Sequence, residues 1–112
     1  MNIQHFGSVL PVPDLSAAVS AWSALLGTLP RFVEGDSWAQ FEVAGGRMAL
    51  AGADRDSDLA GVMVKVDDLD EARRRAGDLG LEVGPIREGP HEIRCSVIGP
   101  GGWPILIYSA RV

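Results

Sequence analysis

The chain has 112 residues and is 46% hydrophobic, enough for one domain, or two halves sharing a core, without covalent staples. A net charge of −5 argues against nucleic acid, whose binding rests on Lys and Arg neutralising phosphates. No apolar stretch approaches the ~20 residues of a membrane span, the single Cys95 excludes an intrachain disulfide, and no charged-then-apolar leader opens the chain, so a soluble cytoplasmic protein is expected.

Gln4 to Val12 alternates and is β-rich, the pattern of a strand. Asp14 suits a helix N-cap, and Leu15, Ala18, Val19, Trp22, Leu25 and Leu26 recur at helical spacing up to a C-capping Gly27. Pro30 to Glu34, Trp38 to Val43 and Arg47 to Ala51 read as three strands, with Gly45-Gly46 as a two-residue hairpin turn. Residues 53–60 are polar and aperiodic, the pattern of a linker. Val62 to Val66 is again a strand. Asp68 with Glu71 three residues on forms a capping box, and Leu69, Ala72, Ala76 and Leu79 give the next helix its stripe. Leu81 to Arg87, His91 to Ile98 and Pro104 to Ser109 are three more strands, the last two joined through Gly99-Pro100-Gly101-Gly102. Arg73-Arg74-Arg75, set among Asp70, Glu71 and Asp78, reads as a solvated helix face.

The order is therefore stated twice. Gly-Ser-Val-Leu-Pro-Val-Pro-Asp-Leu at 7–15 is answered by Gly-Val-Met-Val-Lys-Val-Asp-Asp-Leu at 61–69. The expected class is α+β: two βαβββ repeats (1–52 and 61–112) in one domain, forming a cupped mixed sheet with helices on the outer face. Two such units side by side leave a cleft.

Taken with the helix ending Leu25-Leu26-Gly27, the run Val64-Lys65-Val66-Asp67-Asp68-Leu69-Asp70-Glu71-Ala72 and the Gly99–Gly102 turn, the doubled pattern resembles the vicinal oxygen chelate superfamily. That superfamily includes glyoxalases, extradiol dioxygenases, fosfomycin-modifying enzymes and bleomycin-binding resistance proteins. The resemblance covers the whole chain. Its usual Asp-Pro-Asp-Gly turn has lost both aspartates here. The resemblance implies a divalent metal in the cleft of the enzymes, held by two histidines and two carboxylate or amide side chains. Those four positions fall on Gly7, Ala49, Gly61 and Leu106, and none offers an N, O or S donor. His5 faces the same way as Gly7, but a register slip placing it at the ligand position would leave it without three partners. No metal and no cofactor are expected. The resemblance also implies a homodimer.

Alternation sorts the strand residues by face. If Gly7, Ala49, Gly61 and Leu106 face the cleft, so do Val9, Pro11, Arg47, Ala51, Met63, Pro104 and Tyr108. Pairing across the Gly45-Gly46 turn, with Glu42 opposite Ala49, adds Trp38, Gln40 and Glu42. Arg94, with Glu92 and Ser96, follows if Ile93, Cys95 and Val97 are core. Trp38 is either a ligand platform or packing at a dimer seam. Glu42 and Arg47 are either substrate contacts or a cross-strand ion pair. Small residues where ligands would sit leave room for a bulky guest, and apolar walls with a few polar groups suit a drug-sized molecule. The expected function is metal-free binding of a hydrophobic or aromatic natural product or antibiotic, as in self-resistance. The alternative is a metal-independent isomerase, cyclase or lyase using Glu42 or His5 as acid or base. An accessory module whose cleft only packs a partner is a third reading.

Overall fold

The structure, a computed structural model, describes residues 1–111. Its class is α+β, and the described residues divide into two compact units. One is Gly7–Ala60. The other is Met1–Phe6 together with the chain from Gly61 onward. The first strand, β1 (Ile3–Pro11), is thus shared out, its opening residues with the later unit and its remainder with the earlier. Among the described residues, no helix is long and apolar enough to cross a membrane.

In the N-terminal unit β1 leads into α1 (Leu15–Leu26), then β2 (Phe32–Glu34), β3 (Trp38–Val43) and β4 (Gly46–Ala51). The strands lie in the order β2-β3-β4-β1, with β4 parallel to β1 and the other pairs antiparallel. Asp14 caps α1, its Oδ1 accepting from the Ala17 N–H at 3.1 Å. Gly27 ends the helix in the left-handed region (φ 69°), which glycine enters without a Cβ penalty. Leu15, Ala39, Phe41 and Leu50 are buried, with Leu10, Val12, Ala18, Val19, Trp22 and Met48 packed on them. Burying Phe41 and Leu50 stabilises by roughly 1.5–3 kcal/mol each. Leu25 and Leu26 continue the helical spacing but are exposed, so the working stripe stops at Trp22.

The hairpin differs from expectation. Val43 pairs with Gly46, Glu42 with Arg47 and Gln40 with Ala49, so the turn is Ala44-Gly45 rather than Gly45-Gly46. Both turn residues have positive φ (50° and 80°), as a type I′ turn requires. The register found sets Phe41 beside Met48 and Ala39 beside Leu50. All four lie in or against the core under α1, so packing overrides the strain of a left-handed alanine. Moving the turn by one residue moves the pairing by two. Every side chain therefore keeps its expected face.

In the C-terminal unit β5 (Gly61–Val66) leads into α2 (Leu69–Asp78). Then come β6 (Glu82–Val83), β7 (Arg87–Glu88), β8 (Glu92–Ile98), one 3-10 turn at Pro100–Gly102, and β9 (Pro104–Ala110). The order is β5-β9-β8-β6, with β7 also pairing β8. Val66, Leu69, Ala72, Ala76, Cys95, Val97 and Ile107 form the core. Leu79, expected in the α2 stripe, is exposed; it is the C-cap, one residue past the helix. The capping box forms by halves. Asp68 Oδ1 accepts from the Glu71 N–H at 3.0 Å. The Glu71 carboxylate instead takes the Met1 ammonium at 2.9 Å, and so holds it above its usual 8.0. Asn2 adds two backbone links to Asp67, which ties the first residues to this unit.

The strand expected over 81–87 is broken into β6 and β7. Glu82 and Val83 pair with Ile98 and Val97, and the Gly84 N–H still reaches the Ser96 carbonyl at 2.8 Å. Pro85 then has no N–H to offer the ladder. When pairing resumes, Arg87 lies opposite Arg94 and Glu88 opposite Ile93. The residue numbers of the pairs sum to one more than before the break, so one extra residue is bulged out at 85–86. That residue turns Arg87 from the helix side to the other face.

Candidate functional site

The strand faces turned away from the helices hold the candidate residues, and each unit contributes its own set. In the N-terminal unit Val9, Ala49, Gln40 and Phe32 form one cross-strand row. Pro11, Ala51, Trp38 and Glu34 form the next row, and Glu42 and Arg47 face each other beyond the first. In the C-terminal unit Met63, Leu106 and Ser96 form a row, followed by Lys65, Tyr108, Arg94 and Arg87.

Burial divides these residues into two groups. Ala49, Met63 and Gln40 are 0%, 1% and 6% exposed, so a guest reaches them only by displacing what covers them. Val9, Trp38, Arg47, Leu106, Tyr108 and Arg94 are half-buried, the condition in which a side chain is both held and able to touch a ligand. The room expected at Gly61 is not open. A Cβ there would collide with the Pro104 carbonyl, so the missing side chain lets two backbones of the same unit approach closely.

Glu42 is held from two sides. Its Oε2 accepts from Arg31 Nη1 at 2.8 Å, and its Oε1 lies 2.9 Å from Arg47 Nη2. Each oxygen thus lies against a guanidinium, although Oε1 forms no hydrogen bond. The Arg47 pair is cross-strand and worth roughly 0.2–1 kcal/mol. Arg31 is mostly exposed and adds little. Arg94 Nη1 lies 3.3 Å from Glu92 Oε1 on the same strand. His5 is half-buried near the start of β1, in the part that belongs to the C-terminal unit. Cys95 is buried in the core under α2, which places it away from these faces.

Sequence reasoning passed over Lys65, Arg87 and Phe32. Lys65 was within reach, because it lies two residues beyond Met63 on an alternating strand. Phe32 followed from pairing β2 with Gln40. Arg87 was hidden by the bulge. A further depression of about 520 Å³ lies on the helix side of the N-terminal unit. Leu15, Ser16 and Val19 of α1 line it, with Val33, Asp36 and Arg55 opposite, and Arg55 is held by Asp58 and the Gly52 carbonyl.

No protein-family model matches the sequence, and no curated protein does either. Solved structures do match. A Legionella pneumophila protein described as an NAD-dependent benzaldehyde dehydrogenase superposes with a TM-score of 0.81 at 16% identity, over 95% of this chain and 99% of its own. A glyoxalase/bleomycin resistance protein/dioxygenase superfamily member from Vibrio splendidus 12B01 gives 0.68 at 13% identity, over 96% and 99%. Methylmalonyl-CoA epimerase from Mycobacterium tuberculosis gives 0.67 at 18%, over 98% and 88%. The chain has the vicinal oxygen chelate fold. At these identities the likeness extends to the fold alone.

The resemblance implies a divalent metal, and the residues at the positions it implies carry no donor side chains. The positions that the resemblance sets against metal ligands are Gly7 and Ala49 in the N-terminal unit and Gly61 and Leu106 in the C-terminal unit. A hydrogen, a methyl and an isobutyl group have no lone pair to donate. At Gly61 the Pro104 carbonyl also excludes a longer side chain. Among the described residues, no three or more His, Cys, Asp or Glu are grouped so as to hold a metal ion.

Proposed function

We propose that the protein binds a hydrophobic or aromatic small molecule without a metal and without turnover, the self-resistance mode of antibiotic-binding members of its fold. The observation that carries this reading is the half-buried set Val9, Trp38, Leu106 and Tyr108 on faces whose metal positions are glycine, alanine and leucine. Apolar and aromatic walls with a few guanidinium groups suit an organic guest. The glyoxalase/bleomycin resistance description of the Vibrio splendidus neighbour points the same way. Acid–base chemistry at Glu42 has less support, since two arginines engage its carboxylate.

The protein is further proposed to act as a homodimer in the cytoplasm. Exposed Phe6, Leu25, Leu29 and Trp103 offer apolar surface to a second copy. Native mass spectrometry of protein incubated with a natural-product extract tests both statements. A mass of two chains plus an organic guest is expected, unchanged by EDTA. Stoichiometric divalent metal, or release of a converted product, overturns the reading. Replacing Trp38 or Tyr108 by Ala should weaken guest binding about tenfold. Unchanged affinity in both variants would remove these faces from the site.

A further inference from the structure

Gln40 is 6% exposed, so more than nine-tenths of this polar residue is buried. Alternation turns its side chain away from α1, since Ala39 and Phe41 on either side of it lie in the core under that helix. The Gln40 backbone carbonyl accepts from the Arg31 N–H at 2.7 Å. Its side-chain amide makes no hydrogen bond with the described residues. Buried amides are nearly always paired, because burying one without a partner is costly. The sheet neighbours offer no partner: Ala49 lies opposite on β4 and Phe32 opposite on β2. Two residues away along β3, on the same face, are Trp38 and Glu42. The Glu42 carboxylate lies against Arg31 and Arg47. Phe32 is 39% exposed and diagonal to the half-buried Trp38, a spacing within reach of aromatic side chains. An unpartnered amide is thus flanked by two aromatic side chains, all within the N-terminal unit.

We infer that Gln40 reads a lactam or carboxamide edge of the guest: the guest's N–H donates to Gln40 Oε1, its carbonyl accepts from Nε2, and its ring lies against Phe32 and Trp38. A primary amide presents a donor beside an acceptor in one plane, so its best complement is the same pair reversed. Exchanging the amide oxygen and nitrogen by rotation leaves that complement unchanged. A guest without such an edge would leave the amide buried and unpaired. Gln40 is covered in the free protein, so the guest displaces its cover, and Trp38 beside it reports the change. The inference rests on the small-molecule reading above and adds the polar group by which the guest is held.

NMR titration of 15N-labelled protein separates the two claims. The chain has two glutamines and one asparagine, so the Gln40 side-chain amide is read directly against those of Gln4 and Asn2. The probes are 2-quinolone, which carries a free lactam edge, and quinoline, which keeps the two rings without the N–H and the carbonyl. 2-Quinolone is expected to shift the Gln40 side-chain amide and the Trp38 indole, and to bind about tenfold tighter than quinoline. Gln40→Met, an unbranched side chain of similar length, should bring the two affinities together and leave the thermal midpoint of the free protein unchanged or higher. A lower midpoint would mean that the amide is paired inside the protein, and the inference falls. The wild-type titration needs no variant. If both compounds shift Trp38 with equal affinity, the lactam edge is wrong and the apolar binding surface stands. If 2-quinolone shifts Gln40 while quinoline leaves Trp38 unmoved, the edge stands and the apolar guest does not. If neither compound shifts Gln40, the inference falls, and the native mass spectrum alone decides the small-molecule reading.

Discussion

Burial pushes the Cys95 thiol above its usual 9.0, and the Arg73 guanidinium beside it pulls more weakly the other way. The folded protein therefore keeps this proton to a higher pH than the unfolded chain does. Its contribution to stability is intact below pH 9 and declines as pH rises through the unfolded value and on toward the folded one. Iodoacetamide at mildly alkaline pH should leave the native thiol unmodified and label it in denaturant, as peptide mass would show. Gly61 makes a second prediction at this scale. Gly61→Ala forces a methyl against the Pro104 carbonyl and should cost about 1–3 kcal/mol, read as a lower urea midpoint with unchanged slope. The sequence showed that Gly61 cannot bind a metal. It could not show that the space is already taken, because that depends on how closely β9 approaches β5.

The β3–β4 hairpin shows which part of an element can be read in advance. Alternation placed Trp38, Gln40, Glu42, Arg47 and Ala49 on one face, and their pairing in the structure puts them there together. The turn was misplaced by one residue because Gly-Gly is a stronger local signal than Ala-Gly. Core packing under α1 settled the register instead. Ala44 keeps a left-handed conformation that asparagine tolerates better. Ala44→Asn should therefore stabilise the protein by about 0.5–1 kcal/mol, seen as a raised thermal midpoint. The bulge between β6 and β7 was not legible. Pro85 announces a break in the ladder, but not the extra residue that reverses the faces beyond it. Lys65, by contrast, needed only the alternation that had placed Met63.

For the molecule as a whole, the doubled strand–helix pattern made the fold readable, since two weak copies in order constrain each other. Function was harder to read. It depends on side chains at a few positions, and a fold shared at under 25% identity does not say which they are. The first residues carry a consequence for synthesis. Met1 and Asn2 are held by Glu71 and Asp67, which follow 70 and 65 positions later. At ~5–20 residues per second, the partners of the first strand emerge from the ribosome about 3–14 s after it does. Through that interval Ile3 and Phe6 travel on a nascent strand whose own unit has not yet been translated. A chaperone that reads apolar segments early would find them there, before the fold can claim them.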